Sequence, residues 1–258
     1  MFFLLITQPQ GNEVIQMLLR TIATGSSGNS YVLISNTGEI LLLDLGVSEK
    51  TIKKGIDWKI SNVVGAVISH GHKDHSLSVE DFKSMGMPIL APYLGDSCKT
   101  MNMGGFTLKP FDLTTIDGSW THTNANGEPC PIYGFLITHS EMGRMLYITD
   151  TNLIKWRFKS INHILLGVNY DKYLIDSDNT GKANHVFRGH LSIDTACDFV
   201  KANYSDSLQN VIMCHLSSEN ADSDSFIEKM KKVAKNANVG VAVAGKSWDL
   251  KNPSECPF

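Results

Sequence analysis

The stretch Ser69-His70-Gly71-His72-Lys73-Asp74-His75 places three imidazoles and a carboxylate within six consecutive positions. It directly follows the apolar run at residues 63–68, which is typical of a buried strand. Imidazole suits zinc and related divalent ions, and a carboxylate adds a harder oxygen ligand. In an extended chain His70 and His72 share one face, and Gly71 lets the backbone pass close to whatever they hold. With Asp74 and His75 turned toward a neighbouring point, the stretch predicts a site for two adjacent metal ions.

The spacing His70-x-His72-x-Asp74-His75 resembles the signature of the metallo-β-lactamase-fold hydrolases. A polar loop of solvated histidines is the competing interpretation. The resemblance implies an α/β fold, a four-layer αββα sandwich, and two divalent ions, zinc first and manganese second. It implies that His70, His72 and His122 hold one ion, that Asp74, His75 and His215 hold the other, and that Asp150 bridges them. Together the ions would share a hydroxide that attacks the substrate.

Two further elements resemble a single-domain bacterial and phage branch of the same superfamily, which includes nucleases and cyclic-nucleotide phosphodiesterases. They are the loop Gly25-Ser26-Ser27-Gly28-Asn29-Ser30 and the sequence Gly189-His190-Leu191-Ser192. The resemblance implies that His190 acts as a general acid for the leaving oxygen or contacts a phosphate oxygen. A histidine bonded to backbone at a helix start is the alternative. Asp74 and His190 are thus the expected catalytic residues. Asn220 resembles a residue that contacts either the metal ligands or the substrate.

Asp44 directly follows the apolar residues 41–43. A carboxylate at the end of a buried strand is costly unless it is paired. The resemblance implies that this aspartate supports the metal loop, residues 69–75, from behind the ligands. A helix N-cap is the competing role, but Ser48 is better placed to cap the run at residues 49–54.

The remaining chain alternates strand-like and helix-like patterns, which predicts a single hydrolase domain over residues 17–258. Residues 1–16 are expected to be an N-terminal extension or a first strand. Strands are predicted at residues 18–23, 31–35, 39–45, 63–68, 88–92, 108–116, 133–138, 144–148, 161–168, 211–214 and 239–244. Helices are predicted at residues 49–54 and 78–86, after Ser192, and at residues 226–234.

Composition favours a cytoplasmic protein, in the host cytoplasm if a phage encodes it. No apolar run reaches membrane length, and the N-terminal residues lack the features of a secretory signal. Five widely spaced cysteines without a C-x-x-C pair predict reduced thiols rather than a disulfide framework. No membrane partner is therefore expected.

The fold alone cannot choose among β-lactams, lactones, thioesters and phosphodiesters, but the two loop elements favour phosphodiesters. Lysine and arginine number 23 against 26 acidic residues, so a basic track for a long nucleic acid is not evident. The sequence therefore favours a small nucleotide, such as a 3',5'-cyclic nucleotide, in a pocket that a second copy in a homodimer could complete. A DNA or RNA exonuclease is the alternative enzyme, and a metal-bound sensing or scaffolding protein is the alternative of another class.

Overall fold

In this computed structural model, the described residues are 17–95, 98–116, 119–123, 126, 128–175 and 189–251. The first sheet contains β1 (Met17–Ala23), β2 (Ser30–Ile34), β3 (Ile40–Leu43), β4 (Val63–Val67), β5 (Ile89–Leu90) and β15 (Ser247–Leu250). Its strands lie in the order β15-β1-β2-β3-β4-β5. β2 and β3 pair antiparallel, and β3 and β4 pair parallel.

The second sheet has seven strands in the order β14-β13-β12-β11-β10-β7-β6. They are β6 (Met101–Met103), β7 (Phe106–Asp112), β10 (Tyr133–His139), β11 (Gly143–Ile148), β12 (His163–Gly167), β13 (Asn210–Cys214) and β14 (Asn238–Val241). A separate small hairpin contains β8 (Thr115–Ile116) and β9 (Ser119–Trp120). The strand predicted over residues 108–116 is therefore wrong in extent, because the chain leaves the large sheet after Asp112.

The helices are α1 (Glu49–Gly55), α2 (Lys73–Ser76), α3 (Val79–Ser84), α4 (Ile193–Asn203) and α5 (Ser223–Ala234). Ser48 and Ser192 cap α1 and α4 by accepting from the backbone N–H groups of Thr51 and Thr195. Both caps agree with the sequence pattern. Among the described residues, no helix has the length and apolar character needed to cross a membrane.

Three apolar clusters fix the order of the layers. One lies between the two sheets and contains side chains such as Leu19 from β1 and Phe135 from β10. A second covers the outer face of the second sheet and includes Phe199 of α4 and Phe226 of α5. A third packs Ile52 of α1 and other side chains on the outer face of the first sheet. Helices, sheet, sheet and helices follow in that order, which confirms the predicted αββα sandwich.

Parallel strands carry the predicted ligands to one edge of the sandwich. β3 pairs parallel with β4, and β11, β12 and β13 pair parallel with one another. The carboxyl ends of parallel strands meet at the same edge, where loops hold functional side chains. The stretch that begins at Ser69 follows β4, Asp150 follows β11, and His215 follows β13.

The imidazole of His163 on β12 is expected to make the free energy of unfolding depend on pH. Its Nε2 donates to the carbonyls of Met142 and Lys251 at 3.0 and 3.1 Å, and its Nδ1 accepts from Asn210 at 2.9 Å. These contacts suit only the neutral ring, and burial lowers the pKa of His163 to about 4. The unfolded chain takes up this proton below a pKa of about 6.5, so stability falls as the pH drops from 6.5 toward 4.

Comparison with His163→Gln measures this contribution. Between pH 7.5 and 5, wild-type protein should lose about 2 kcal/mol more unfolding free energy than the variant, because the variant has no ring to protonate. Urea unfolding in the presence of a chelator keeps metal uptake from contributing. Equal losses in the two proteins would contradict the assignment.

Candidate metal centre

Seven predicted ligands lie together at the edge of the sandwich, in two groups. The first cluster contains His70, His72 and His122, and the second cluster contains Asp74, His75, Asp150 and His215. Within each cluster, one ligand atom per residue lies within 4.8 Å of all the others. Residues up to 145 positions apart in sequence, from His70 to His215, therefore converge on one small volume.

In the first cluster, the Nδ1 atoms of His122 and His70 face away from the centre and are hydrogen-bonded to protein acceptors. Nδ1 of His122 donates to the carbonyl of Gly189 at 2.9 Å, so its Nε2 keeps the lone pair and lies 2.9 Å from Nδ1 of His72. Nδ1 of His70 lies 3.0 Å from Oγ of Ser69. Such contacts fix ring orientation and leave the other nitrogen available to a metal ion.

The second cluster surrounds the carboxylate of Asp150. Its Oδ2 lies 3.2 Å from Nε2 of His75 and 3.5 Å from Nε2 of His215. The same oxygen lies 3.7 Å from Nε2 of His70 in the first cluster. Oδ2 of Asp74 lies 3.4 and 3.5 Å from the two histidines of its own cluster. Asp150 is therefore the residue that faces both clusters.

Asp44 lies directly behind the second cluster and is fully buried. Its Oδ2 accepts from Nδ1 of His75 at 2.6 Å, from Oγ of Ser69 at 2.8 Å and from the hydroxyl of Tyr147 at 2.5 Å. Its Oδ1 accepts from the backbone N–H of Ser69 at 2.7 Å. The carboxylate is thus fully paired, which offsets its burial, and it directs Nε2 of His75 toward the centre.

The backbone is strained at three residues of the site. Asp44, Asp150 and His215 have φ values of +57°, +47° and +56°. The left-handed region is unfavourable for residues with a side chain and is found where the surrounding structure holds them in place. Asp44 and His215 directly follow a buried strand, and Asp150 lies two residues after one, so the left-handed turn redirects each side chain toward the centre.

Two histidines of the first cluster, His70 and His122, are held in the form that binds metal. Burial lowers the pKa of His70 well below its usual value, and the nearby rings of His75 and His122 add to the effect. Burial also lowers the pKa of His122 to about 4, against the opposing Asp150 carboxylate. Both rings are neutral near pH 7, as a ligand must be.

In the second cluster, interactions between carboxylates and imidazoles outweigh burial in setting the pKa values. Burial acts to lower the pKa of His75, but the Asp150 and Asp44 carboxylates outweigh it and raise that pKa. Burial likewise acts to raise the pKa of Asp150, but His215 and His75 outweigh it and hold the carboxyl well below its usual range. The Asp150 and Asp44 carboxylates therefore favour positive charge at this buried point, as a cation site requires.

The donor set fits divalent metal ions. Nε2 of His70 is buried and has no hydrogen-bond partner among the described residues. An unpaired buried nitrogen costs about 1–3 kcal/mol, and a metal ion would satisfy it. Imidazole nitrogens and carboxylate oxygens are ligands for zinc and manganese. When bound, such ions act as Lewis acids and lower the pKa of a water molecule toward neutrality.

The other two predicted site residues, His190 and Asn220, lie outside the two clusters. The His190 ring stacks on His215 with 5.3 Å between ring centroids, and its Nδ1 lies 4.0 Å from Oδ1 of Asp150. His190 therefore borders the centre without belonging to either cluster. Asn220 accepts through its carbonyl from the N–H of Asp171 at 2.8 Å. Among the described residues, no hydrogen bond joins its side chain to the clusters, and its role as a substrate contact stays a prediction.

Two asparagines to which the sequence assigns no role touch the candidate ligands. Nδ2 of Asn169 donates to the carbonyl of His215 at 2.9 Å and lies 3.2 Å from Nδ1 of that ring. Nδ2 of Asn29 lies 3.0 Å from Nε2 of His75. The available signal was position, because Asn169 follows a buried strand and Asn29 lies in a glycine-rich loop.

Comparison with known proteins places this chain in a family. The sequence model of the metallo-β-lactamase superfamily matches residues 23–153, which is 131 of the 258 residues. The chain belongs to the metallo-β-lactamase superfamily. It is accordingly a metal-dependent hydrolase, as the dense histidine motif predicted.

Individual proteins resemble this member of the metallo-β-lactamase superfamily along nearly all of its length. Exodeoxyribonuclease WalJ of Streptococcus pneumoniae serotype 2 (strain D39 / NCTC 7466) is 24% identical over 270 residues, covering 92% of this chain and 95% of that protein. The metallo-β-lactamase fold protein YhfI from Bacillus subtilis has a TM-score of 0.64 at 17% identity, covering 90% of this chain and 98% of that one. A diphosphatase from the PhnP family has a TM-score of 0.61 at 12% identity, with coverages of 92% and 98%. At these identities the solved structures show a common fold alone.

Proposed function

We propose that this protein hydrolyses a phosphodiester bond of a small nucleotide, with a 3',5'-cyclic nucleotide as the favoured substrate, by means of two divalent metal ions. The position of Asp150 carries the proposal, because its carboxylate faces ligand atoms of both clusters. Two cations beside one buried carboxylate can neutralise a phosphate and activate water at the same point. The mixed imidazole and carboxylate donors favour zinc, with manganese second.

The chain's own residues have distinct roles in this proposal. The first cluster and the second cluster hold the ions, and Asp150 lies between them. Asp74, whose side chain is partly exposed, orients the attacking water through its second carboxylate oxygen, Oδ1. Asp44 keeps the His75 ring in place from behind. His190 donates a proton to the leaving oxygen.

Charge around the centre supports a small substrate. Within the described segments 69–77, 119–123, 149–153, 189–192 and 214–220, which surround the clusters, Lys73 is the only lysine or arginine. A protein that follows a nucleic acid backbone needs several cations along its path. One phosphate can be neutralised by the metal ions, whereas a row of phosphates would meet little positive charge here. A homodimer that completes the pocket stays a prediction.

A DNA exonuclease is the second candidate, and one observation favours it. The similarity to an exodeoxyribonuclease extends over 92% of this chain. An enzyme that cleaves only the terminal phosphodiester needs positive charge for a few phosphates rather than for a long duplex. The two candidates therefore share one chemistry and differ in what occupies the space beyond the scissile phosphate.

A substrate panel with metal analysis tests the proposal. Purified protein is first assayed for bound zinc and manganese, then incubated with 3',5'-cyclic nucleotides and with end-labelled single- and double-stranded DNA and RNA. Release of mononucleotide from cyclic nucleotides but not from polymers is the expected result. Stepwise release from DNA or RNA ends identifies an exonuclease, and full metal loading without any hydrolysis identifies a sensing or scaffolding protein.

His190→Ala should slow turnover of a nucleotide substrate by about a hundred-fold or more, because the leaving alkoxide needs a proton. A p-nitrophenyl phosphodiester of the same nucleotide has a leaving group that departs without one. With that ester we expect less than a ten-fold loss, so the two substrates measured side by side isolate proton donation. An increase in KM alone would contradict this role and indicate a phosphate contact.

A further inference from the structure

The loop between β1 and β2 lies behind the second cluster, and the proposed chemistry gives it no role. It contains Gly25-Ser26-Ser27-Gly28-Asn29-Ser30, which was quoted above for its resemblance to one branch of the superfamily. Asn29 is fully buried and belongs to neither cluster. With Thr24 and Tyr31 it forms a chain of hydrogen bonds that connects two ligands of the second cluster.

This chain of hydrogen bonds begins at His215. The backbone N–H of His215 donates to Oγ1 of Thr24 at 3.0 Å, and that oxygen lies 2.8 Å from the hydroxyl of Tyr31. The Tyr31 hydroxyl donates to Oδ1 of Asn29 at 3.1 Å. Nδ2 of Asn29 then lies 3.0 Å from Nε2 of His75. Each hydroxyl has one donor role and one acceptor role, so every link is satisfied.

The two ends of this chain belong to different sheets. His215 follows β13 in the second sheet, whereas Thr24 and Tyr31 lie at β1 and β2 of the first sheet. His75 lies in α2, beyond β4 of the first sheet. Pairing within one sheet therefore cannot fix the distance between the two histidines. The hydrogen bond from His215 to Thr24 crosses from one sheet to the other directly behind the second cluster.

The backbone of the loop between β1 and β2 is also hydrogen-bonded to Asp74 of the metal loop and to Gly46, which follows β3. The N–H of Asn29 donates to the carbonyl of Asp74 at 2.7 Å, and the N–H of Gly46 donates to the carbonyl of Asn29 at 2.9 Å. The Asn29 side chain closes the loop on itself, since it accepts from the N–H of Gly25 and donates to its carbonyl, both at 3.0 Å. The polar groups of Asn29 are therefore engaged with protein, which excludes them from cradling a phosphate.

We propose that Thr24, Asn29 and Tyr31 are positioning residues that set the distance between Asp74 and His215 and thereby the affinity of the second cluster for its metal ion. This inference rests on the proposal that the clusters bind metal. Buried, fully satisfied networks are rigid, and residues that orient a ligand commonly change metal affinity by 10- to 100-fold. An ion at Nε2 of His75 would replace the hydrogen bond from Asn29 to that ring. The backbone N–H of Asn29 would still hold the carbonyl of Asp74 at 2.7 Å, and its side chain would keep the carbonyls of Gly25 and Asp74 as acceptors.

Zinc affinity measured by competition with a chromophoric chelator tests the inference without any substrate. We expect Tyr31→Phe to bind one zinc ion as tightly as wild type and the other about ten-fold more weakly or worse, because the hydroxyl link is lost while the ring stays. Thr24→Val should do the same, and Thr24→Ser should restore the affinity. Tyr204→Phe is the matched control, since its hydroxyl bonds to Asp206 on the surface.

The outcomes separate this inference from the proposed function. Unchanged affinity for both ions in Tyr31→Phe would overturn it, and so would equal weakening of both. In a His122→Ala background, which lacks a ligand of the first cluster, the remaining ion should still bind ten-fold more weakly when Tyr31→Phe is added. Wild-type protein that binds two zinc ions but cleaves no phosphodiester contradicts the proposed function and leaves the inference intact. Wild-type protein that binds no zinc overturns the inference.

Discussion

Asp150→Asn should reduce the number of bound metal ions from two to one or none and slow hydrolysis by roughly a thousand-fold. The Asp150 carboxylate lies within 3.7 Å of Nε2 atoms from His70, His75 and His215, so it faces both clusters. Asparagine keeps the shape but loses the charge and presents an amide that cannot be ionised. Losing about 4 kcal/mol of Lewis-acid stabilisation corresponds to that factor in rate.

Metal content by mass spectrometry and turnover at saturating substrate check this expectation. Asp206→Asn makes the same chemical change at an exposed residue outside the site and should leave both quantities at wild-type values. If Asp150→Asn retained two ions and near-normal turnover, Asp150 would not bridge the clusters. The proposed two-ion chemistry would then lose the observation on which it rests.

The convergence of the candidate ligands within one short stretch was predictable from the sequence, because donors at neighbouring positions need little tertiary information. His70, His72, Asp74 and His75 follow a buried run, and local geometry brings them together. His122, Asp150 and His215 came from resemblance and chain order rather than from spacing. Their convergence in the structure depends on parallel pairing of strands that are far apart in sequence.

Of the residues that contact the candidate ligands from behind, Asp44 was predicted from the sequence, but three others were not. Asn29, Asn169 and Gly189 contact ligands that are 46 to 67 positions away. Each is an ordinary loop residue when considered locally, and only the closed sandwich gives it a partner. Every residue has a backbone carbonyl, so residue identity does not indicate which carbonyl accepts a given hydrogen bond. The acceptor that orients His122, the carbonyl of Gly189, therefore could not be predicted from the sequence.

β15 shows why a real element was missed at the other end of the chain. Its residues Ser247–Leu250 alternate between exposed and buried, as a strand should. Four residues are too few for a periodic pattern to be recognised, and the turn at Gly245 directly before the strand makes its first residue hard to locate from the sequence. Its partner is β1, more than 220 residues earlier, with Met17 opposite Leu250. This strand therefore depends on long-range pairing with β1, whereas the local sequence is only compatible with it.

Gly46→Ala should abolish metal binding at the second cluster and lower the free energy of unfolding by about 3 kcal/mol, the upper part of the usual range for overpacking. A Cβ at this position would lie 1.7 Å from the carbonyl oxygen of Asp74 and 2.8 Å from the backbone nitrogen of Asn29. Both are backbone atoms, and ordinary contacts need more than 3.4 Å. The metal loop must therefore move away, which carries Asp74 and His75 out of position.

Zinc stoichiometry below the unfolding transition and urea unfolding measure the two effects separately. Gly86→Ala is the control, because a Cβ there meets nothing within 4 Å although its φ of +78° strains any alanine. We expect that variant to lose about 1 kcal/mol of stability and to keep both ions. Loss of zinc in Gly46→Ala alone would then follow from the displaced loop rather than from reduced stability. Two ions bound with wild-type affinity in Gly46→Ala would mean that Asp74 and His75 do not depend on this close backbone contact.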